Sequence, residues 1–321
     1  MIDISVIIPC YNAAGYIERC LEALEAQTFR KFEVILVDDC STDGTSEVVD
    51  QLIKKYSYSI KIIKNGNNLG PSLARRNGIM EAKAEYIAFC DSDDYYDADY
   101  LSEMYAATEE KKNDVVFCNC YSVYSNGDRI KHNVVSHIRN EDKRSVIATA
   151  PHSLCCMLIR RSLFRSIEFP MIRNGEDMAI TPVICSNAAG FGFVDKCIYN
   201  YVCRENSLSR KFTPEKIGSL KKSFEYIEEN LSEQYFEELE YLGIRNYLYS
   251  AAFNLFKSET MPDRKQVNTD LSFFTRKYPG WSRNKYYNYL PLHQKIYLFA
   301  IKYRLFFVCR ILSLIHKKIS R

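Results

Sequence analysis

The sequence predicts an α/β protein with a Rossmann-like, mostly parallel sheet covered by helices on both faces, followed by a helical C-terminal region. Three observations carry this. Short apolar runs alternate with amphipathic segments through the first third of the 321-residue chain. Those runs are continuous instead of alternating, the mark of strands buried on both faces and joined in βαβ units. After about Phe212 the strand signal ends and helical spacing takes over.

Residues 4–9 form the first unbroken run, and Ile17, Leu21 and Leu24 then recur at helical spacing. Residues 32–37 are the second strand, followed by a helical face of Val48, Val49, Leu52, Ile53 and Tyr56. A third run at 60–63, a helix at 73–80 and a fourth strand at 86–90 complete the series. Further on, 114–124 reads as a strand, and Ser125-Asn126-Gly127-Asp128 is a hairpin turn leading into 130–135. The stretch 136–149 is polar and reads as a loop. A helix is expected over 176–189, with Pro182 kinking it or marking a late start. A short strand is expected at 198–203. The expected organisation is one domain over 1–210, with a nucleotide-binding part to about 95 and an acceptor part from about 96, then a helical region over 211–321.

Composition bounds the class. With 47% hydrophobic and 26% charged residues the chain is that of an ordinary globular protein. Its first nine residues read as a strand, with no basic segment or cleavage site of a signal peptide. The twelve cysteines lie mostly in apolar runs without a CxxC pair, as expected of reduced thiols in the cytoplasm. None of the five histidines has metal-ligand spacing, so a catalytic histidine is not expected.

The net charge of +3 is unevenly spread: residues 271–321 hold eleven Lys or Arg and no acid. On a helical wheel Lys295, Lys302, Arg310, Lys317 and Arg321 share about a third of the circumference, with Leu298, Phe299, Phe306 and Ile315 away from it and Arg304 out of register. Uncharged stretches there are too short to span a bilayer. Either the helix packs on the domain with a solvated basic face or it lies on an anionic membrane, and the second is favoured. Nucleic acid is not expected as a partner, because no binding motif accompanies the charge.

The chemistry concentrates at strand ends. Asp91-Ser92-Asp93-Asp94 follows the fourth strand directly, so three carboxylates gather where a buried strand runs out. Such a cluster repels itself unless a cation or hydrogen-bond donors compensate. A divalent ion with oxygen ligands, placed to hold phosphates, is one remedy. The alternative is a helix cap, with Asp93 or Asp94 capping a segment that starts near Asp97. Asp38-Asp39 ends the second strand, on the same rim, where ligands of open parallel sheets bind.

Five strings occur in order: Ser5-Val6-Ile7-Ile8-Pro9-Cys10-Tyr11-Asn12; Gln27-Thr28-Phe29; Val37-Asp38-Asp39-Cys40-Ser41-Thr42-Asp43-Gly44-Thr45; Asn68-Leu69-Gly70 with Ala74-Arg75; and Asp91-Ser92-Asp93-Asp94. Together they resemble the family 2 glycosyltransferases of GT-A fold, over about residues 3–210. The resemblance implies an inverting, metal-dependent transfer of a hexosyl or N-acetylhexosaminyl group from a nucleotide sugar to a saccharide hydroxyl. The implied acceptor is polyprenyl-diphosphate-linked, in O-antigen or capsular polysaccharide assembly on the cytoplasmic face of the inner membrane. Asp39 would contact the base, and a carboxylate suits the N3–H of uracil, which points to a UDP-sugar. Pro9, Tyr11 and Asn12 would neighbour the base, Tyr11 by stacking. Asp93 is the first choice as ligand to Mn or Mg, Asp91 an assistant through ribose or metal-bound water, and Asp94 a second ligand or a cap.

Arg75 matches the family's Ala-Arg-Asn signature, although the next residue here is Arg76, whose role stays open. Asn174-Gly175-Glu176-Asp177 matches the Glu-Asp pair that opens a helix, which makes Asp177 the implied general base. Arg204-Glu205-Asn206-Ser207 resembles a segment that closes over the diphosphate, with Arg204 and Ser207 as donors to phosphate oxygens. Two other classes stay open. A nucleotidyltransferase would also use carboxylates and metal, but residues 9–15 are not its glycine-rich loop. The other is an inactive, membrane-associated nucleotide-binding protein on the same fold.

Overall fold

The computed structural model describes residues 2–109, 111–138, 142–204, 214–257 and 262–319. The chain divides into two compact units, Met1–Ser207 and Leu208–Arg321.

The first unit opens with β1 (Ile4–Cys10), α1 (Ile17–Glu25), β2 (Phe32–Asp38), α2 (Thr45–Leu52), β3 (Ser59–Lys64), α3 (Pro71–Glu81) and β4 (Tyr86–Phe89). These four strands pair in parallel in the order β3-β2-β1-β4. The order has a physical consequence: β2 and β3 build outward on one side of β1, and β4 lies on the other. The loops after β1 and β4 therefore diverge and leave a crevice at the carboxyl edge, where such sheets bind ligands. β1, β2 and β4 are buried nearly throughout, each large side chain contributing roughly 1.5–3 kcal/mol.

Helix α3 lies against β1 at Gly78, where a Cβ would stand 2.5 Å from Cγ2 of Ile7. Only glycine permits that approach, and it fixes the height at which Arg75, one turn earlier, meets the sheet edge.

The sheet continues through β5 (Tyr95–Tyr96), β6 (Val115–Val123), β7 (Arg129–His132), β8 (Met157–Arg160) and β9 (Phe191–Val202). α4 (Tyr100–Ala106) follows β5, α5 (Lys143–Thr149) precedes β8 and α6 (Glu176–Asn187) precedes β9. Beyond β4 the order is β8-β6-β9-β5, with β8 antiparallel to both its neighbours, β5 antiparallel to β9 and β6 parallel to β9. The α/β class stands, but the sheet is parallel only in its first half and mixed in its second.

Three local expectations change, and a strand, β8, appears that the sequence did not suggest. The polar stretch 136–149 holds α5, capped by Asp142, whose side chain accepts from Ser145 N, and buried over 145–149. β8 is four residues long, too short to leave a periodic signature. β9 begins at Phe191, not 198; its exposed Asp195-Lys196 pair falls where its register against β6 shifts, which hid the strand. Pro182 sits inside a helix that starts at Glu176, within a segment buried from Met178 to Cys185.

The second unit contains α7 (Pro214–Asn230), α8 (Phe236–Gly243), a π-helical stretch (Ile244–Ala251), α9 (Ala252–Phe256), α10 (Arg264–Lys277), α11 (Leu292–Lys302) and α12 (Phe306–Ile319). Its core is aromatic, built on Phe224, Phe256, Phe274, Tyr278 and Tyr297. The single amphipathic helix expected from 295 onward is two helices, broken where Arg304 takes a left-handed backbone, φ 58°. Arg304 is the residue that lay out of register on the wheel. Among the described residues no helix is long and apolar enough to cross a membrane.

Candidate active site

The end of β4 and the start of α6 bring Asp91, Glu176 and Asp177 onto Arg75, while Asp38 and Asp39 lie at the end of β2 on the same sheet edge. After β1 the chain turns at Asn12, φ 51°, a conformation that Asn tolerates better than most residues. Asn12 Oδ1 accepts from Thr42 N at 2.9 Å, and Asn12 N donates to Ser41 Oγ at 3.0 Å. Ala13 N donates to Thr45 Oγ1 at 2.8 Å and Ala14 N to Asp43 Oδ2 at 3.1 Å. The Ser41–Thr45 stretch thus holds the β1 loop in place. Pro9 lies within β1 opposite Val37, and Tyr11 presents a ring that is 50% exposed.

Asp38 and Asp39 have different tasks. Asp38 closes its own turn, accepting from Ser41 N at 3.0 Å and Ser46 Oγ at 2.6 Å. Asp39 is buried and gathers the loop before α3: Oδ1 accepts from Asn65 Nδ2 at 2.8 Å and Leu69 N at 2.9 Å, and Oδ2 from Gly70 N at 2.7 Å. Oδ2 with one recorded bond retains a lone pair, the capacity a donor such as a base N–H needs.

Arg75 sits at the centre, 3% exposed. Nη2 donates to Asp91 Oδ1 at 2.7 Å, Nη1 to Glu176 Oε1 at 2.7 Å, and Nη1 also stands 3.4 Å from Asp177 Oδ1. One buried guanidinium therefore faces three carboxylates from two elements, and those carboxylates hold its pKa well above the usual value against the opposing effect of burial.

Asp177 opens α6 after Gly175, whose φ of 92° favours glycine and sets the first turn. Its Oδ2 accepts from Leu154 N at 3.2 Å. Burial pushes the carboxyl up to about 7, with Glu176 and Asp91 adding to the rise and Arg75 opposing it. A carboxylate that titrates near neutrality is suited to take a proton at physiological pH.

The three aspartates after β4 separate. Asp91 is more than a third exposed and paired to Arg75. Asp93 is paired to Arg204, its backbone carbonyl accepts from Arg19 Nη2, and burial and Asp91 raise its pKa. Asp94 is 1% exposed; its Oδ1 accepts from Val202 N at 2.7 Å and its Oδ2 from the Tyr199 hydroxyl. A buried carboxylate with both oxygens engaged braces the loop against β9 and is not an open ligand. Nor do Asp93 and Asp94 cap a helix, since α4 starts at Tyr100.

Among the described residues no three His, Cys, Asp or Glu side chains converge as a metal site. Asp91 and Asp93 fit a divalent ion as a pair: their recorded ion pairs use one oxygen each, Oδ1 and Oδ2 respectively. Hard oxygen donors of this kind suit Mg or Mn with further ligands from phosphate and water. Arg204 also lies 4.4 Å over the Tyr16 ring. Ser207 lies outside the described residues.

Arg19, Tyr16, Tyr199 and Asn65 escaped the reading of the sequence. Tyr16 and Arg19 sit at the start of α1, Tyr199 in β9 and Asn65 after β3, and none stands in a local motif. Glu176 was quoted only as part of a pair, and its bond to Arg75 spans 101 residues of sequence.

Comparisons with known proteins identify the family and the fold. The family model described as glycosyl transferase family 2 matches residues 5–167, just over half of the chain. The poly(ribitol-phosphate) beta-glucosyltransferase of Bacillus spizizenii is 33% identical over 187 residues, which are 56% of this chain and 28% of that protein. The poly(ribitol-phosphate) beta-N-acetylglucosaminyltransferase TarS of Staphylococcus aureus is 26% identical over 295 residues, 87% of this chain and 50% of TarS. The chain spans a third of the length of the pneumococcal glycosyltransferase GlyA, another relative, at 27% identity over 68% of this chain.

Among solved structures, S. aureus TarS 1–349 in complex with UDP-GlcNAc superposes with a TM-score of 0.74 at 22% identity, covering 99% of this chain and 92% of that one. The mannosyltransferase PcManGT of Pyrobaculum calidifontis, in complex with GDP-Man and Mn2+, gives 0.59 at 18% identity, covering 94% and 86%. These likenesses show the GT-A fold. With the family model spanning the β1 to β8 region that carries Asp39, Arg75 and Asp91, the chain belongs to glycosyl transferase family 2.

Proposed function

We propose that the protein is an inverting glycosyltransferase that moves a sugar from a UDP-sugar to a hydroxyl of a cell-surface polymer, with Asp177 as general base. The observation that carries this is the position of Asp177: held at a helix start 3.4 Å from Arg75, with burial raising its pKa to about 7. As the acceptor hydroxyl attacks the anomeric carbon, Asp177 takes its proton, and the nucleoside diphosphate leaves from the opposite face. Asp39 receives the uracil N3–H through its open lone pair, with Tyr11 stacking on the base and Pro9 and Asn12 beside it. Arg204 and Ser207 donate to the phosphates. Asp91 and Asp93 would hold Mg or Mn, which supplies charge neutralisation on the leaving diphosphate.

The activities of these relatives, transfer of glucose or N-acetylglucosamine to poly(ribitol-phosphate), support a hexosyl or N-acetylhexosaminyl donor and a polymer acceptor. In this reading the acceptor is assembled on a polyprenyl-diphosphate lipid, as for O-antigen or capsule, at the cytoplasmic face of the membrane.

Thermal-shift titration with UDP, GDP, CDP and their sugars, with and without Mn or Mg, tests the donor half. Stabilisation by UDP that strengthens with metal is expected. Equal response to CDP would remove Asp39 from base selection. Release of UDP from a UDP-sugar in the presence of a polymer acceptor tests the transfer, and pyrophosphate as product would overturn it.

A further inference from the structure

Helices α11 and α12 each bury one apolar face and expose another. In α11, Tyr297, Leu298, Ala300 and Ile301 are buried, while Leu292, Ile296, Phe299 and Tyr303 are exposed at intervals of four, three and four residues. That spacing is a single stripe down the outer side of a helix. In α12 the inward face carries Phe306, Cys309 and Ser313, and the outward stripe is Phe307, Val308, Ile311, Leu314 and Ile315. Phe299 is 57% exposed and Phe307 71%. An ordinary surface helix would place charge at these positions, so the pair of stripes marks a face that meets a partner.

The charge around the stripes identifies the partner. Lys302 and Arg304 are exposed at the turn that joins the helices, and the whole of 271–321 carries eleven basic residues and no acid. A second copy of this chain laid on the same face would bring two acid-free, basic rims together and repel. An anionic lipid bilayer accepts both features at once. The exposed aromatics enter the interfacial region while Lys and Arg meet the headgroups. Neither helix is long enough to do more than lie in that interface, at 11 and 14 residues.

We propose that the α11–α12 hairpin is a docking surface for anionic lipid bilayers, with Phe299, Tyr303, Phe307 and Ile311 as its apolar contacts and Lys302 and Arg304 as its headgroup contacts. This rests on the reading of a membrane-borne acceptor for its purpose, but its test does not use the acceptor. The full chain is sedimented with vesicles of phosphatidylcholine alone and of phosphatidylcholine with about a third phosphatidylglycerol. Binding to the anionic vesicles alone is expected, weakened by salt. Lys302→Gln with Arg304→Gln should lower the affinity about 30-fold, and Phe299→Ser with Phe307→Ser should abolish sedimentation. All four side chains are exposed, so UDP-induced stabilisation should persist in both variants and report that the chain is folded.

The proposal is overturned if the wild-type chain stays in the supernatant with anionic vesicles, or binds phosphatidylcholine equally well. It is also overturned if light scattering shows a dimer that Phe299→Ser with Phe307→Ser converts to a monomer while vesicle binding is absent. A chain that sediments with anionic vesicles yet does not respond to UDP would support the docking surface and count against the proposed donor.

Discussion

Nη1 of Arg75 stands 3.4 Å from Oδ1 of Asp177, whereas the same guanidinium reaches Asp91 and Glu176 at 2.7 Å. The short bonds go to the two neighbours, while the guanidinium still pulls the pKa of Asp177 down. Burial then dominates and keeps its carboxyl near 7 instead of at the usual carboxylate value. Arg75 thereby tunes the residue we assign as base by opposing the effect of burial.

The first prediction concerns pH. The base must be deprotonated to act, so kcat/KM should rise with pH through an acidic limb near 7. Asp177→Asn should reduce transfer by about 10²–10⁴-fold with UDP binding retained. A rate flat from pH 5 to 9, or a fully active Asn variant, would remove Asp177 from that role.

Changing the partners should move the limb in opposite directions. Asp91 raises the pKa of Asp177 and Arg75 lowers it. Asp91→Asn should therefore shift the acidic limb of its residual activity to lower pH, and Arg75→Lys, which loses the planar fork, should shift it upward. The comparison of pH profiles separates this tuning from a general loss of structure. Arg75→Met should also destabilise the fold by about 3–5 kcal/mol, because it strands buried carboxylates without a counter-ion.

Asp93 and Asp94, adjacent in sequence, should behave differently. Asp93→Asn should cancel the metal-dependent part of UDP stabilisation. Asp94→Asn should keep it, since the Asp94 carboxyl is taken up by Tyr199 and Val202 N. Burial, Asp91 and Asp93 raise the pKa of Asp94 well above its ordinary value. A raised folded-state pKa means a contribution that is present below the unfolded value and lost as pH rises through the folded one. Denaturant titrations should therefore show Asp94→Asn losing less stability relative to wild type at neutral pH than at pH 4.

Gly78→Ala should lower stability by about 1–3 kcal/mol, because the new methyl would meet Ile7 at a distance that no packed side chain occupies. Activity should fall more than stability alone explains, since the displaced helix carries Arg75. A melting temperature and specific activity equal to wild type would show that β1 and α3 part without cost.

Much of this was legible before any coordinates. The strands β1 to β4 and the helices between them are long enough to leave periodic signatures, and carboxylates directly after apolar runs mark strand ends. What escaped were short or interrupted elements. β8 has too few residues to show a period, α5 hides behind polar neighbours, and β9 is disguised by the exposed pair at Asp195 and Lys196. In the C-terminal unit the wheel failed at Arg304 for a concrete reason: a left-handed residue ends one helix there before the next begins.

The sequence by itself determined the α/β class, the family and the identity of the acidic residues on the rim, because these depend on local spacing and on strings of adjacent residues. Only the tertiary structure decided their roles. It divided Asp91, Asp93 and Asp94 into an exposed partner of Arg75, a partner of Arg204 and a buried brace on β9. It also brought Glu176 onto Arg75 and gave Asp177 a carboxyl near neutrality. Burial and charge separation act through space, and residues a hundred positions apart carry no mark in the chain of how far apart they will stand.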